Sequence, residues 1–142
     1  MKKKIFVITG ELSGDILASK IIDYIDLKKI DIKGIVGSNL KNKGISGPFE
    51  SKDITFFGIT DVIKNIFYIK KKIDQTVKYV ETFKPDIVFS VDSPDFVFQV
   101  IKRIKERKKI KAKYFHFVAP SIWAWRESRG HNIKKLIDKI YL

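Results

Sequence analysis

A carboxylate at position 92 has the setting of an acid–base group. Asp92 belongs to the stretch VDSPD, directly after the apolar run DIVFS and directly before Ser93 and Pro94, a pair that is typical of a helix start. A carboxylate at that boundary, with apolar residues behind it, could take a proton from a substrate hydroxyl. The alternative is that Asp92 only caps the helix that begins at Pro94. Asp95 fits the first turn of that helix, where the helix dipole favours a negative charge.

A second stretch, GELSGD, suits the close approach of a polar ligand. Gly10 and Gly14 allow a tight turn, and Ser13 opens a helix whose first N–H groups would face the ligand. The stretch is neither GxGxxG nor a P-loop, so it does not specify a nucleotide. A plainer interpretation is that Ser13 or Asp15 caps the helix. Glu11 does not suit a phosphate, because its carboxylate would repel one.

Both tryptophans of the chain fall in a third stretch, APSIWAWR. Trp123 and Trp125 are two residues apart, so in an extended segment they point the same way. Two flat apolar surfaces next to Arg126 suit a sugar ring or an acyl chain with a phosphate nearby. The alternative is that at least one of the tryptophans packs under this segment as part of the core.

The elements that would position these stretches alternate between strand and helix. Short apolar runs predict strands, and spacings of three and four between apolar residues predict helices. The predicted strands are KKIFVIT, DIKGIVG, DIVFSVD, AKYFHFV, the start of one at KIYL, and a weaker strand or loop at DITFFGI. The predicted helices are GDILASKIIDYID, residues 60–83 as one long helix or two with a bend, DFVFQVIKRIKERKK and residues 127–138.

This alternation predicts an open parallel α/β sheet, Rossmann-like in class. Ligands bind such sheets beyond the carboxyl ends of the strands, so the three stretches, each of which follows a predicted strand, should line one rim. The 142 residues suit a single domain. Because the chain ends inside the apolar run KIYL, we expect it to be truncated or split.

Composition narrows the classes of chemistry and partner. The chain has 44% hydrophobic residues, which is typical of a globular protein. Its net charge of +13 favours an anionic partner. It has no cysteine, which excludes thiolate chemistry. His116 and His131 form no metal-ligand set, and His116, within a predicted strand, suits the core. No stretch reaches the roughly 20 apolar residues of a membrane span. A nucleic-acid-binding module stays open on charge alone, although the run KRIKERKKIKAK lacks interleaved aromatics.

The three stretches, in this order and at this spacing, resemble the N-terminal half of lipid-A-disaccharide synthases. VGSNLKNKGI and FFGITDVI are similar to two further segments of that family, so the resemblance covers all 142 residues. Leu12 stands where the family has a small residue, and Ser38-Asn39 stands where it has Gly-Pro. The resemblance implies the N-terminal domain of a two-domain, B-type inverting glycosyltransferase that needs neither metal nor cofactor.

The resemblance implies a reaction as well. The family transfers 2,3-diacylglucosamine from its UDP donor to 2,3-diacylglucosamine 1-phosphate, and forms the β-1′,6-linked disaccharide 1-phosphate and UDP. Asp92 matches the family's proposed general base, which takes the proton of the acceptor's 6-hydroxyl. The implied substrate-binding residues are Gly10, Glu11, Ser13, Gly14, Asp15, Ser121, Trp123, Trp125 and Arg126.

The acylated substrate implied by the resemblance predicts that the protein works at a membrane surface. A chain of about 12 methylenes at about 0.8 kcal/mol each holds the acceptor in the bilayer, so the enzyme must go to it. We expect a peripheral protein on the cytoplasmic face of the inner membrane, with no nucleic-acid partner. The apolar and basic surface of the helix at residues 60–83 would dock there, through Ile63, Ile66, Phe67, Ile69, Lys70 and Lys71. The alternative is that this isoleucine stripe packs on the sheet.

The same family carries most of its UDP site in a C-terminal domain, which these residues do not include. The chain alone is therefore expected to be inactive, and a separate polypeptide could supply the missing half. An inactive remnant of the enzyme is the alternative.

Overall fold

Five parallel strands and five helices make up the described part of the chain. A computed structural model describes residues 2–55, 66–117 and 137–141. The strands are β1 (Lys3–Thr9), β2 (Ile30–Ile35), β3 (Ile87–Val91), β4 (Lys113–Phe117) and β5 (Lys139–Tyr141). The helices are α1 (Leu12–Ile22), α2 (Ser38–Lys41), α3 (Lys52–Thr55), α4 (Ile66–Phe83) and α5 (Pro94–Arg107). The predicted open parallel sheet is thereby confirmed.

The strand order reverses between β1 and β3. The order in the sheet is β2-β1-β3-β4-β5, so the chain moves one way from β1 to β2 and the other way from β3 onward. In open α/β sheets, ligands bind beyond the carboxyl ends of the strands beside such a reversal. Because Thr9 pairs with Val91, β1 and β3 end side by side. The segments that follow them therefore meet at one rim.

Alternating side chains of the strands build a core on each face of the sheet. α4 and α5 cover one face, whose buried residues include Phe6, Ile8, Val77, Val88, Val100 and Ile101. α1 and α2 cover part of the other face, whose buried residues include Val7, Ala18, Ile22, Leu40 and Val91. Ion pairs from Asp74 to Arg103 and from Glu81 to Arg107 join α4 to α5. No helix within the described ranges is both long and apolar enough to cross a membrane.

Two predicted elements are wrong where the structure describes them. Residues 53–55 of DITFFGI, predicted as a weak strand or a loop, belong to helix α3 (Lys52–Thr55), because the Asp53 carboxylate accepts the N–H of Glu50 (3.1 Å) and closes a turn. Residues 137–138 are not helical, because Asp138 pairs with Tyr114 on β4. The N–H of Tyr114 donates to the Asp138 carboxylate (2.7 Å), and the N–H of Asp138 donates to the carbonyl oxygen of Tyr114 (2.9 Å). The remaining parts of these two segments, and residues 60–65 of the long helix, lie outside the described residues.

Candidate active site

A strained corner at the carboxyl end of β3 holds Asp92. The φ angles of Asp92 and Ser93 are 55° and 47°, in the left-handed region that costs non-glycine residues about 1–3 kcal/mol each. The corner is held because the N–H of Asp92 donates to the carbonyl oxygen of Phe117 (3.0 Å) and Pro94 starts α5 immediately afterwards. Strained pairs of this kind cluster at functional sites.

The carboxylate of Asp92 is buried and has no partner in the described part of the chain. Its exposed fraction is 7%, and no hydrogen bond or ion pair joins its side chain to residues 2–55, 66–117 or 137–141. Asp92 therefore does not cap α5, and Ser93, at the N-cap position, makes no capping hydrogen bond with its side chain either. Since buried carboxylates are normally paired, an unpaired one at a rim is a candidate catalytic group.

The turn after β1 packs directly against this corner. A β-carbon built on Gly10 would lie 1.6 Å from Oγ and 2.5 Å from Cβ of Ser93. Close approach therefore requires glycine at position 10. The packing around Gly14 is looser, because a β-carbon there would lie 3.4 Å from Cγ1 of Val91. The first and second stretches thus form one continuous surface.

Asp15 braces two loops. Its buried carboxylate accepts the N–H of Gly37 (2.7 Å) and the N–H of Asn39 (2.8 Å) at the start of α2. No side chain caps α1, whose N-cap position is Glu11, so the interpretation of Ser13 or Asp15 as that cap is wrong.

Glu11 and Ser13 are exposed at the amino end of α1. The helix starts at Leu12, so the N–H groups of its first three residues have no partner within the helix and face the rim. These donors and the positive end of the helix dipole suit an anion or a polar sugar group. Neither an exposed Glu11 nor an exposed Ser13 contributes to the core, so both are available to a ligand.

His116 belongs to the core, as predicted. Its Nδ1 lies 2.6 Å from Oγ of Ser90, its register partner on β3, and the ring of Phe98 packs edge-on against it at 5.1 Å. The side chain is fully buried, and burial lowers the pKa of His116 from 6.5 to about 4. The imidazole is therefore neutral at pH 7 and does not serve as the acid–base group of the rim.

This histidine makes stability depend on pH. Because the pKa of His116 is lower in the folded than in the unfolded chain, its share of stability is present above pH 6.5 and is lost as the pH falls toward 4. We expect His116 to lower the free energy of unfolding in urea by about 2 kcal/mol between about pH 7.5 and about pH 5. The control is His116→Gln, which cannot titrate and should remove that share. An undiminished pH dependence in the variant would contradict the assignment.

The predicted docking residues divide between surface and core. Ile66 and Phe67 are 45% and 82% exposed, and Lys70 and Lys71 are exposed as well. Ile69 instead packs against the core under α4. The docking interpretation therefore suits the first turn of α4, and the packing alternative is right for Ile69. Ile63 lies outside the described residues.

Part of the predicted site lies beyond the described ranges. Ser121, Trp123, Trp125 and Arg126 are outside them, so the stretch APSIWAWR stays a prediction. Within the described residues, no three His, Cys, Asp or Glu side chains are grouped so that they could hold a metal ion.

Sequence reasoning missed the apolar edge of the rim. Leu12 and Ile16, four residues apart on α1, are 66% and 40% exposed. Phe117 and Tyr141, the last residues of β4 and β5, stack with ring centroids 6.4 Å apart and planes 14° apart. The sequence could have indicated this edge, because Leu12 and Ile16 are four residues apart and lie off the buried face of α1.

Comparison with known sequences places these motifs in one family. The model of a family described as lipid-A-disaccharide synthetase matches residues 5–142. The chain is 38% identical over 141 residues to a lipid-A-disaccharide synthase of Rickettsia bellii, across 98% of this chain and 37% of the relative. It is 31% identical over 139 residues to one of Ruegeria pomeroyi, across 96% of this chain and 34% of the relative. The chain thus spans about a third of the length of these curated relatives.

Comparison with solved structures supports the fold. The glycosyltransferase SnogD from Streptomyces nogalater superimposes with a TM-score of 0.54, over 98% of this chain and 42% of its own. At 8% sequence identity this likeness concerns the fold alone, and it confirms the predicted class, an open parallel sheet of the B-type glycosyltransferases. The motifs at the rim and the family match over residues 5–142 lead to one conclusion: the chain belongs to the lipid-A-disaccharide synthetase family.

Proposed function

We propose that this chain forms the acceptor side of a lipid-A-disaccharide synthase, with Asp92 as general base. The reaction joins 2,3-diacylglucosamine, carried on UDP, to 2,3-diacylglucosamine 1-phosphate. Its products are the β-1′,6-linked disaccharide 1-phosphate and UDP. The observation that carries the proposal is the buried carboxylate of Asp92, which has no partner among the described residues and lies on a strained corner between the starts of α1 and α5.

In this proposal Asp92 acts on the acceptor. Its carboxylate takes the proton of the 6-hydroxyl while that oxygen attacks the anomeric carbon of the donor sugar. The bond from that carbon to the UDP oxygen breaks on the opposite face, the electron pair leaves with UDP, and the configuration inverts. The corner holds the carboxylate in one position, which favours transfer to a hydroxyl within hydrogen-bond reach. No step needs a metal or a cofactor.

The neighbouring groups have separate roles in this proposal. The N–H groups at the start of α1, which have no partner within the helix, bind the polar part of the acceptor together with Ser13, Gly10 and Gly14, and Glu11 accepts a hydrogen bond from a sugar hydroxyl. Asp15 positions this loop through its bonds to Gly37 and Asn39. Roles for the third stretch follow the resemblance: Ser121 and Arg126 hold a phosphate, and Trp123 and Trp125 contact a sugar or an acyl chain. The remaining length of the relatives, in the same or a second polypeptide, would hold the UDP donor.

A chimera tests this function. Residues 1–142 would replace the matching third of the Rickettsia bellii relative, and the purified protein would be given both diacylated substrates. We expect the disaccharide 1-phosphate to appear by mass spectrometry. A folded chimera that makes none, beside an active parent enzyme, would contradict the proposal and favour an inactive remnant.

We also propose that the domain docks, as a peripheral protein, on the cytoplasmic face of the inner membrane through the first turn of α4. Ile66 and Phe67 offer exposed apolar groups there, and Lys70 and Lys71 follow on the next turn. A lysine near an anionic leaflet adds about 1 kcal/mol. The acylated acceptor gives the reason for docking, because it stays in the bilayer.

Two sets of substitutions separate docking from packing. Ile66→Ser with Phe67→Ser should weaken sedimentation with anionic vesicles about tenfold and leave the melting temperature nearly unchanged, because both side chains are exposed. Ile69→Ser should instead lower the free energy of unfolding by about 2 kcal/mol, because Ile69 packs against the core. Tyr24→Ser, at a residue 93% exposed, serves as the control. Vesicle binding that is unchanged in the Ile66 and Phe67 variant would rule out docking by this turn.

A further inference from the structure

A buried polar bridge joins β3 to β4 just before the corner that carries Asp92. Oγ of Ser90 lies 2.6 Å from Nδ1 of His116, and both side chains are fully buried. These two residues are register partners, and the pair that follows them is Val91 with Phe117. The N–H of Asp92 then donates to the carbonyl oxygen of Phe117 (3.0 Å). The bridge therefore lies beside the backbone contact that holds the corner.

The same bridge also reaches α5. Ser90 and His116 lie on the face of the sheet that α5 covers. Val88 and Tyr114, two positions earlier on the same strands, belong to the core on that face. The ring of Phe98, near the start of α5, packs edge-on against the imidazole with centroids 5.1 Å apart. β3, β4 and α5 therefore meet at one imidazole, and the corner is the turn that joins two of them.

Packing alone does not account for a histidine at this position. Nε2 of His116 is buried and has no hydrogen-bond partner among the described residues. A buried nitrogen without a partner lowers stability, and an apolar side chain of similar size would avoid that loss. The imidazole does supply a directed bond to Ser90, and buried polar bonds of this kind hold a core in one arrangement. The bridge thus fixes geometry at this position better than an apolar pair would.

We propose that Ser90 and His116 are a positioning pair, whose bond keeps the ends of β3 and β4 together and so holds the carboxylate of Asp92 against the acceptor hydroxyl. This inference rests on the role of Asp92 proposed above. The strained backbone at Asp92 and Ser93 would relax if the strand ends separated, and a link beside the corner opposes that motion. Because both side chains of the pair are fully buried, they act through the base and not on the substrate.

Hydrogen exchange of the Asp92 amide in the 142-residue chain tests the structural part of this inference. Ser90→Ala with His116→Leu replaces both partners by apolar groups, so the free energy of unfolding should stay nearly unchanged. We expect the Asp92 amide, followed by NMR, to exchange about tenfold faster in this double variant, because the corner opens more often. Ser51→Ala is the matched control: it removes another buried hydroxyl, which lies 2.9 Å from Oγ1 of Thr9, and should leave that amide unchanged.

A single substitution adds a rescue. His116→Asn places an amide atom where Nδ1 stands, so it keeps a partner for Ser90, whereas His116→Leu does not. The Asp92 amide should exchange within about threefold of the unsubstituted rate in the asparagine variant and about tenfold faster in the leucine variant. Equal rates in these two variants would contradict a role for the bond.

Turnover of the chimera tests the functional part. The double variant Ser90→Ala with His116→Leu should lower turnover about tenfold at unchanged KM for the acceptor, because the base is misplaced while the exposed binding surface is intact. In the Asp92→Asn background the same double variant should cause no further loss, since there is no base left to position. A purely structural role would lower turnover equally in both backgrounds.

The other outcomes are distinct. Unchanged exchange of the Asp92 amide in the double variant overturns this inference alone. Faster exchange with full turnover also overturns it, because the base would then not need the pair. An equal loss of turnover in both backgrounds overturns it as well. Full turnover in Asp92→Asn by itself overturns the proposed base and this inference together.

Discussion

Asp92→Asn is expected to lower the turnover of the chimera about 100-fold or more, because an amide cannot accept the proton of the acceptor hydroxyl. The substitution keeps the size of the side chain, and asparagine tolerates the left-handed backbone at φ 55° as well as aspartate does. The measurement is the steady-state formation of the disaccharide with both substrates saturating. Turnover near that of the unsubstituted chimera would show that Asp92 is not the base.

The same substitution should raise stability. A carboxylate that is 7% exposed and has no partner among the described residues is costly to bury, and a neutral amide is less so. We expect the free energy of unfolding of the 142-residue chain to rise by about 1 kcal/mol in Asp92→Asn. Opposite signs for activity and stability distinguish a catalytic group from a structural one, since the loss of a structural group would lower both.

The matched control lies three residues further on. Asp95 is exposed in the first turn of α5, in the same stretch, and carries the same charge. Asp95→Asn should leave turnover within about twofold and lower stability by a few tenths of a kcal/mol, because it removes a charge that favours the helix dipole. A drop in turnover equal to that of Asp92→Asn would show that the effect comes from lost negative charge at the rim.

Local patterns predict most of the sheet. β1 follows the predicted run from Lys3 to Thr9 residue by residue, and α5 begins at the predicted proline, Pro94. Continuous apolar runs specify strands covered on both faces, and the parallel arrangement then fixes which segments share a rim. The position of Asp92 at that rim is therefore readable from sequence.

Contacts between distant segments are what the sequence does not show. The partners of Asp15 are backbone N–H groups more than 20 residues away, so a local reading assigned it to the wrong helix. The left-handed corner at Asp92 is held by the carbonyl oxygen of Phe117 at the end of β4, and local residue patterns do not show this contact, although the start of α5 at Pro94 was predicted. Periodicity also cannot separate the exposed Ile66 from the packed Ile69, since both fit one helical stripe.

The contact between Gly10 and Ser93 gives the second large effect. Gly10→Ala would place a methyl group 2.5 Å from Cβ of Ser93, which no rotation of the serine side chain relieves, so the backbone of the corner must move. We expect the free energy of unfolding to fall by about 3 kcal/mol and the turnover of the chimera to fall with it. Gly14→Ala is the control: its new methyl makes an ordinary contact at 3.4 Å, and alanine favours a helix over glycine by about 1 kcal/mol.

Removal of the opposing side chain should rescue the variant. In Gly10→Ala with Ser93→Gly, the nearest remaining atom would be Cα of residue 93, at 3.8 Å, and glycine also accepts the φ angle of 47° without strain. A double-mutant cycle measured by urea unfolding should therefore give a coupling of about 2 kcal/mol. Turnover should recover in parallel, because relief of the clash lets the corner of Asp92 return to its conformation and the Ser93 hydroxyl does no chemistry in the proposed reaction. Additive effects in the cycle would mean that the two turns do not touch, and the rim as described would then lack the contact that sets the position of its base.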